Sequence, residues 1–386
     1  MIALSPVRVG ALELRNRFVK TATFEGMSPR GRVSEALVAH HAAMARHGVA
    51  LTTVAYGAVE PSGRTFGDQL LVTAETDLAR IADAVHAEGG AVSLQLAHSG
   101  GFTKLRHPRG PAGPSEGINA YGIAHGAPWI KAMTSEDIER VTAAYAQAAT
   151  VARDAGFDAL ELHCGHGYLL SQFLSPAMNR RRDAWGGDLQ GRLRLPLAVV
   201  RAIRDVVGEK VALLAKINLE DGVHDGSTID DAVVIARALA QAGVDALVPS
   251  GGLVQRNAFF LMRGDVPIRE MAATETSLLG RVAMRVFAPW LVKAYPYTSA
   301  FFEDRAARVL GAVDIPVGLL GGVDSADVIE RALERGFSFV AMGRALLADP
   351  DFIERLAAGE RVVSRCTHCN RCVAEMDRSG VRCVLA

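Results

Sequence analysis

Eight times along this chain a short run of apolar and β-branched residues stands ahead of, or between, stretches with helical spacing. The runs are 17–22 (RFVKTA), 49–55 (VALTTVA), 91–96 (AVSLQL), 159–163 (ALELH), 211–217 (VALLAKI), 245–249 (DALVP), 316–320 (PVGLL) and 338–342 (SFVAM). Alanine-rich amphipathic stretches at 75–88, 135–155, 191–207, 228–242, 324–335 and 350–358 separate or follow them. Alternating strands and helices imply a parallel sheet, because parallel neighbours need a crossover connection. Eight such units predict an α/β fold closed into a single (β/α)8 TIM barrel rather than an open doubly wound sheet. Thr134 with Asp137 predicts a capping box at the start of the helix leading into the fourth strand. The 386 residues suit one such barrel with long loop insertions, over 1–360, and a short Cys-rich tail packed on it, over 361–386.

Two connections are too long to be turns. Residues 99–133 are rich in Gly, Pro and His, and 253–298 carry aromatics and arginines. Long ordered loops in a compact domain commonly serve as lids or binding loops. For 253–298, surface decoration or a contact within a homo-oligomer is the plainer alternative. Lys+Arg and Asp+Glu stand at 42 each, with no basic tract, so neither a nucleic acid nor an acidic membrane surface is expected as partner. No apolar run approaches the roughly 18 residues of a membrane span. The opening MIALSPVRVG lacks the apolar core of a signal peptide. A cytoplasmic protein is the expectation.

Barrel chemistry gathers at the C-terminal ends of the strands. Here those ends read Thr21-Ala22-Thr23, Tyr56-Gly57-Ala58, Gln95-Leu96-Ala97-His98, His163-Cys164-Gly165-His166, Lys216-Ile217-Asn218, Ser250-Gly251-Gly252, Gly321-Gly322 and Gly343-Arg344. One polar residue at a strand end is usually structural; a ring of donors at one rim asks for a ligand. Gly321-Gly322 and Gly343-Arg344 follow strands seven and eight, where barrels commonly hold a phosphate. Glycine lets backbone N–H groups approach its oxygens, and Arg344 adds a forked cation. Lys216 lies on an otherwise apolar strand, and a buried ammonium requires an anion or several acceptors. With Gln95 it would suit a flat heterocycle with imide edges, such as a reduced flavin. His163-x-x-His166 could instead bind a metal in a barrel hydrolase. Glu161, the nearest carboxylate, is expected to point away by strand alternation.

The stretch His163–Arg192, with "HGYLLSQFLSP", "NRRRD" and "WGGD", resembles the signature of the old yellow enzyme family. The resemblance runs from "LRNRF" (14–18) through "SLQLAHSGG" (93–101) and "AGFDALELH" (155–163) to "GLLGG" (318–322) and "AMGRALLADP" (341–350). That family implies an FMN-containing, NAD(P)H-dependent ene-reductase on a (β/α)8 barrel, acting on a small electron-poor alkene. It implies Ala22 and Thr23 beside the reactive flavin edge, Gln95 on the pyrimidine and Lys216 at the opposite side of that ring. Gly322, Gly343 and Arg344 would take the FMN phosphate, with Gly321 shaping the turn; Thr21, Ala58 and Gly252 complete the cofactor set. His163 and His166 would hydrogen-bond the substrate carbonyl, and Tyr168 would donate the proton. A flavin-dependent amine dehydrogenase of the same family is the closest alternative.

Several positions depart from that pattern. Lys216 stands where many members carry arginine, Gly101 where an arginine often lies, and Phe24 where a Thr or Cys tunes the flavin. Trp185 replaces a common tyrosine, and Gln190-Gly191 the usual Glu-Asn. "CTHCNRC" with Cys383, that is Cys366, Cys369, Cys372 and Cys383, resembles the tail that holds an iron–sulfur cluster in 2,4-dienoyl-CoA reductases, with a shorter second gap. Zinc on four cysteines, or no metal at all, are the other readings. The sequence stops where those enzymes continue into a second flavin domain, so no electron relay through the tail is expected.

Overall fold

The computed structural model describes residues 1–275, 278–378 and 380–385. Eight parallel strands form its centre: β1 Phe18–Lys20, β2 Leu51–Ala58, β3 Ala91–Ala97, β4 Ala159–Cys164, β5 Ala212–Asn218, β6 Ala246–Ser250, β7 Gly318–Leu320 and β8 Phe339–Met342. All eight fall on the predicted runs. They follow the order six-five-four-three-two-one-eight-seven, and the ring closes where Leu247 bridges Val317 and its N–H donates to Pro316 at 2.9 Å. Strands covered by helices outside and packed side chains inside are buried on both faces, which is why they read as near-continuous apolar runs. Every residue of β2, β4, β5 and β6 is buried.

The outer ring is α1 Glu35–Arg46, α2 Ala79–Ala87, α3 Ser135–Asp154, α4 Leu189–Val207, α5 Ile229–Gln241, α6 Glu303–Leu310, α7 Ala326–Glu334 and α8 Phe352–Ala357. The Thr134–Asp137 capping box is present at α3, and Thr228 with Asp231 builds a second at α5. Helices α1 and α6 break the simple apolar pattern because each buries a polar residue. His41 of α1 bonds Thr52 at 2.7 Å, and Glu303 of α6 is held between Arg331 and Arg335.

Neither long connection is bare loop. Residues 99–133 contain a small three-stranded sheet, Ala112–Gly113, Trp129–Ala132 and Gly117–Ile118. Residues 253–298 carry helices Val254–Asn257, Ile268–Thr274 and Leu278–Leu291. The tail returns to the barrel: Val381 N–H donates to Glu25 at 2.7 Å, and Asn370 Nδ2 to the Asp265 carbonyl at 2.8 Å. Among the described residues no helix is long and apolar enough to cross a membrane.

Register is what positions the chemistry. Gln95 of β3 pairs in level with Glu161 of β4, and Lys216 of β5 with His163. Residues 161 and 163 share strand parity, so both side chains enter the barrel.

Candidate active site

The floor of the site is a buried charge network. Lys216 Nζ donates to Glu161 Oε1 and to Thr21 Oγ1, each at 3.0 Å, and Gln95 Nε2 donates to the same carboxylate oxygen at 2.7 Å. This corrects the expectation for Glu161. It does not point away; it is the anion that the buried Lys216 requires. The signal in the sequence is that 161 and 163 share strand parity, which puts Glu161 on the same inner face as His163. Burial pushes the Lys216 ammonium below its ordinary value, and Glu161 opposes that shift. An ammonium has three protons; two reach Glu161 and Thr21, and Lys216 also borders the open cavity above.

Above this floor the β4 loop carries its two histidines. His163 Nε2 lies 2.9 Å from His166 Nδ1, and His166 Nε2 lies 2.7 Å from Ser250 Oγ. His166 sits in the left-handed region, at φ 62, where a non-glycine residue is uncommon. Its N–H donates to Asn218 Oδ1 at 3.0 Å, and Gln255 Nε2 donates to the Gly167 carbonyl at 3.1 Å. A Cβ on Gly165 would meet Asn218 Oδ1 at 2.9 Å, and one on Gly167 would meet Gln255 Oε1 at 2.2 Å. The glycines therefore let a neighbouring strand, through Asn218, and the helix Val254–Asn257, through Gln255, grip this backbone.

Burial, then the charges of His166 and Lys216, hold His163 well below the usual histidine range. Burial, then Lys216, pushes His166 down to about 3. Both rings are neutral at physiological pH, so each carries one N–H. In the 2.9 Å contact one of the two facing nitrogens accepts. For both to donate to one acceptor, His163 must carry its proton on Nε2 and His166 on Nδ1, and the bond between them must open. Ser250 must then donate to His166 Nε2. His163 Nδ1 has no partner among the described residues.

Tyr168 stacks on His163, with centroids 4.2 Å apart, and its hydroxyl donates to Tyr56 Oη at 2.6 Å. Burial raises both phenols above the ordinary tyrosine value. The sequence places Tyr56 at the rim but assigns it no role. It ends a strand, but it belongs to no motif that marks it. Phe24 stacks on Phe66 and tilts against Tyr56, extending the aromatic wall. At Gly101 a Cβ would meet Ile130 Cδ1 at 2.7 Å, so this fold leaves no room there for a longer side chain.

At the far end, Gly321 and Gly322 adopt φ 101 and 79, a turn closed to most L-residues. A Cβ on Gly343 would lie 3.3 Å from Thr21 Cγ2 and 3.6 Å from Thr23 Oγ1, filling the space beside them. Arg344 Nη1 donates to the Arg263 carbonyl at 2.8 Å and to Asn370, which fixes the guanidinium while its other nitrogens remain for an anion.

One cavity of about 740 Å³ joins these parts. Its lining includes Thr21, Ala22, Thr23, Gln95, Lys216, Gly321, Gly322, Gly343 and Arg344 together with His163, His166 and Tyr168. Ala58 and Gly252 lie outside it. The Ala58 N–H donates to Leu70 at 2.8 Å, and that of Gly252 to Glu220 at 2.9 Å. Glycine turns with a cation at one end, a buried lysine and amide at the floor and an aromatic wall above fit an FMN-sized group. Cys366 and Cys372 also line the cavity. Among the described residues, however, no three His, Cys, Asp or Glu side chains are gathered closely enough to hold a metal ion.

These features define a flavin oxidoreductase barrel. The model of the NADH:flavin oxidoreductase / NADH oxidase family matches residues 4–258. A 4,4'-dithiodibutanoate disulfide reductase from Rhodococcus erythropolis is 41% identical over 98% of this chain and 94% of its own length. Among solved structures, morphinone reductase superposes with a TM-score of 0.73 at 22% identity, over 95% of this chain and 93% of that one. Histamine dehydrogenase from Rhizobium sp. 4-9 gives 0.81 at 22% identity, and this chain, covered over 99%, spans 52% of its length. At such identities the structures show the shared fold alone. The chain belongs to the NADH:flavin oxidoreductase family, the old yellow enzyme family, and is an NAD(P)H-dependent flavin oxidoreductase.

Proposed function

We propose that this enzyme reduces the C=C bond of an α,β-unsaturated carbonyl compound with FMN as cofactor and NAD(P)H as reductant. The observation that carries the reading is the juxtaposition of two neutral imidazoles and a buried phenol pair at one end of the cavity. When bound, FMN supplies hydride transfer between the nicotinamide and the alkene. Gly321, Gly322, Gly343 and Arg344 would hold its phosphate, with Lys216 and Gln95 facing its ring.

The protein's own groups then do three things. His163 and His166 donate to the carbonyl oxygen, where negative charge grows as hydride reaches the β-carbon. Preorganised donors there act as an oxyanion hole. Tyr168 delivers a proton to the α-carbon as general acid. The aromatic wall of Phe24, Phe66, Tyr121 and Phe102 around these groups excludes water. The imidazoles and phenols at this end are neutral or held neutral by burial. Lys104, Glu275 and Asp377 also line the cavity, so an amine is separated from an enone by experiment rather than by the charge of the lining.

A second acceptor class is favoured by the Rhodococcus relative, which by its name reduces a disulfide. The same phenol could protonate a departing thiolate. Anaerobic stopped-flow separates the readings. Flavin reduced by NADH or NADPH is mixed with cyclohexenone, with 4,4'-dithiodibutanoate, or with air. Fast reoxidation by the enone supports the proposal. Reoxidation by the disulfide but by no enone replaces it with disulfide reduction. Bleaching of oxidised flavin by an amine without nucleotide points to amine oxidation instead.

A further inference from the structure

The Tyr56–Tyr168 pair contains more chemistry than a single acid needs. A phenol has one proton. With the Tyr168 proton directed at Tyr56 across 2.6 Å, the second proton of the pair belongs to Tyr56, with Thr65 beside both hydroxyls. Both rings are 4% exposed, both line the cavity, and they meet edge-on with centroids 4.9 Å apart. Tyr168 cannot protonate carbon while it donates to Tyr56, so this hydrogen bond must open during turnover.

We propose that Tyr56 is a positioning residue for the acid: it parks the Tyr168 hydroxyl before reaction and donates to the Tyr168 oxygen as that oxygen ionises. The inference rests on the reading of Tyr168 as general acid. In the step itself, the α-carbon's electron pair, left by hydride addition at the β-carbon, forms the new C–H bond. The Tyr168 O–H bond breaks and its electrons remain on oxygen. Tyr56 keeps its proton and turns its hydroxyl toward that oxygen; water later reprotonates Tyr168.

The surroundings are built for this. Burial raises the Tyr168 phenol well above its ordinary value, so an unassisted phenolate would form with difficulty. Tyr56 is held from below. The preceding Ala55 N–H donates to both oxygens of buried Glu25, at 3.1 and 3.0 Å, and Lys20 Nζ anchors that carboxylate at 2.7 Å. Tyr56 is therefore set by an internal charge pair through its backbone and by the aromatic packing of Phe24 and Tyr168 around its ring.

The test is Tyr56→Phe, which keeps the ring. A hydrogen bond to a charged oxygen is worth on the order of 10- to 100-fold in rate. The enone half-reaction of Tyr56→Phe should slow by that amount, with flavin reduction by NAD(P)H and the KM for enone unchanged. Because Tyr56 acts through Tyr168, the double variant Tyr56→Phe/Tyr168→Phe should be as slow as Tyr168→Phe alone. Full enone activity in Tyr56→Phe, or losses that multiply in the double variant, would overturn the proposal. A readout free of activity accompanies it: with the six tyrosines labelled at 13Cζ, the Tyr168 resonance, assigned by its loss in Tyr168→Phe, should move in Tyr56→Phe. An unmoved resonance also overturns the pairing. An enzyme that passes no hydride to any enone sinks the proposed function instead, and the resonance still decides the pair.

Discussion

Two short motifs in this chain look alike on paper and end differently in space. His163-x-x-His166-x-Tyr168 and Cys366-x-x-Cys369-x-x-Cys372 each set chemically capable side chains at close, regular intervals. The first converges: its groups are buried, bonded to one another and braced by Asn218, Ser250 and Gln255 from neighbouring strands and loops. The second stays half exposed, and no ion-holding group forms from it among the described residues. Burial raises the Cys366 and Cys372 thiols, and the neighbouring cysteines add to it; Arg344 pulls the other way, joined at Cys366 by a backbone hydrogen bond from His368. Spacing nominates residues; only surrounding elements that supply partners bring them together.

The comparison can be broken at its stronger side first. Tyr168→Phe keeps the stacked ring and removes the acid, so reoxidation by an enone should fall roughly 10²- to 10⁴-fold. Flavin reduction by NAD(P)H should be nearly unchanged. Equal loss in both half-reactions, measured by anaerobic stopped-flow, would show that the motif is merely packing. A smaller but selective loss is expected for His163→Ala, about 10²- to 10³-fold with the enone. Reoxidation by oxygen, which needs no carbonyl clamp, should be spared; a matching drop there would remove the histidines from substrate binding.

The same burial has a thermodynamic signature. His40 and His166 have pKa values pushed down from 6.5 to about 3, chiefly by burial, and burial also holds His41 and His163 well below the usual histidine range. Below pH 6.5 the unfolded chain binds protons at these positions that the folded chain refuses. Stability is therefore fully present above 6.5 and is lost as pH falls toward 3. Chemical denaturation at pH 7, 5 and 4 should show that decline, and His166→Asn should flatten it. A profile unchanged by the substitution would mean that His166 titrates alike in both states.

The tail should give the smallest effects. Cys164 is buried, its thiol pushed up to about 12, whereas the four tail cysteines are partly exposed. Under native conditions Ellman's reagent should titrate the four and spare Cys164. Replacing each of the four by serine should cost no more than about 0.5 kcal/mol of stability, as at other partly exposed sites. Slow thiol reaction that speeds up with a chelator, together with near-stoichiometric iron or zinc in anaerobically purified protein, would show the tail converging after all and erase the contrast.

Much of this was legible in the chain itself. The eight strands, the capping box at Thr134 and the strand-end glycines are local matters. Burial on both faces imposes apolar runs, and turns with positive φ select glycine, so the sequence records them directly. Helices α1 and α6 were hidden because His41 and Glu303 occupy buried faces where the pattern expects an apolar residue.

The partnerships were decided only in three dimensions. That Glu161 answers Lys216 depends on the register between β4 and β5, and that Tyr56 meets Tyr168 depends on strands two and four leaning toward one axis. Ala58 and Gly252 sit at strand ends yet spend their backbone donors inside the fold. Periodicity tells a residue which face it occupies. Closing the barrel decides which residue stands opposite, because hydrogen bonds and ion pairs act across a few ångströms between segments that the chain order keeps far apart.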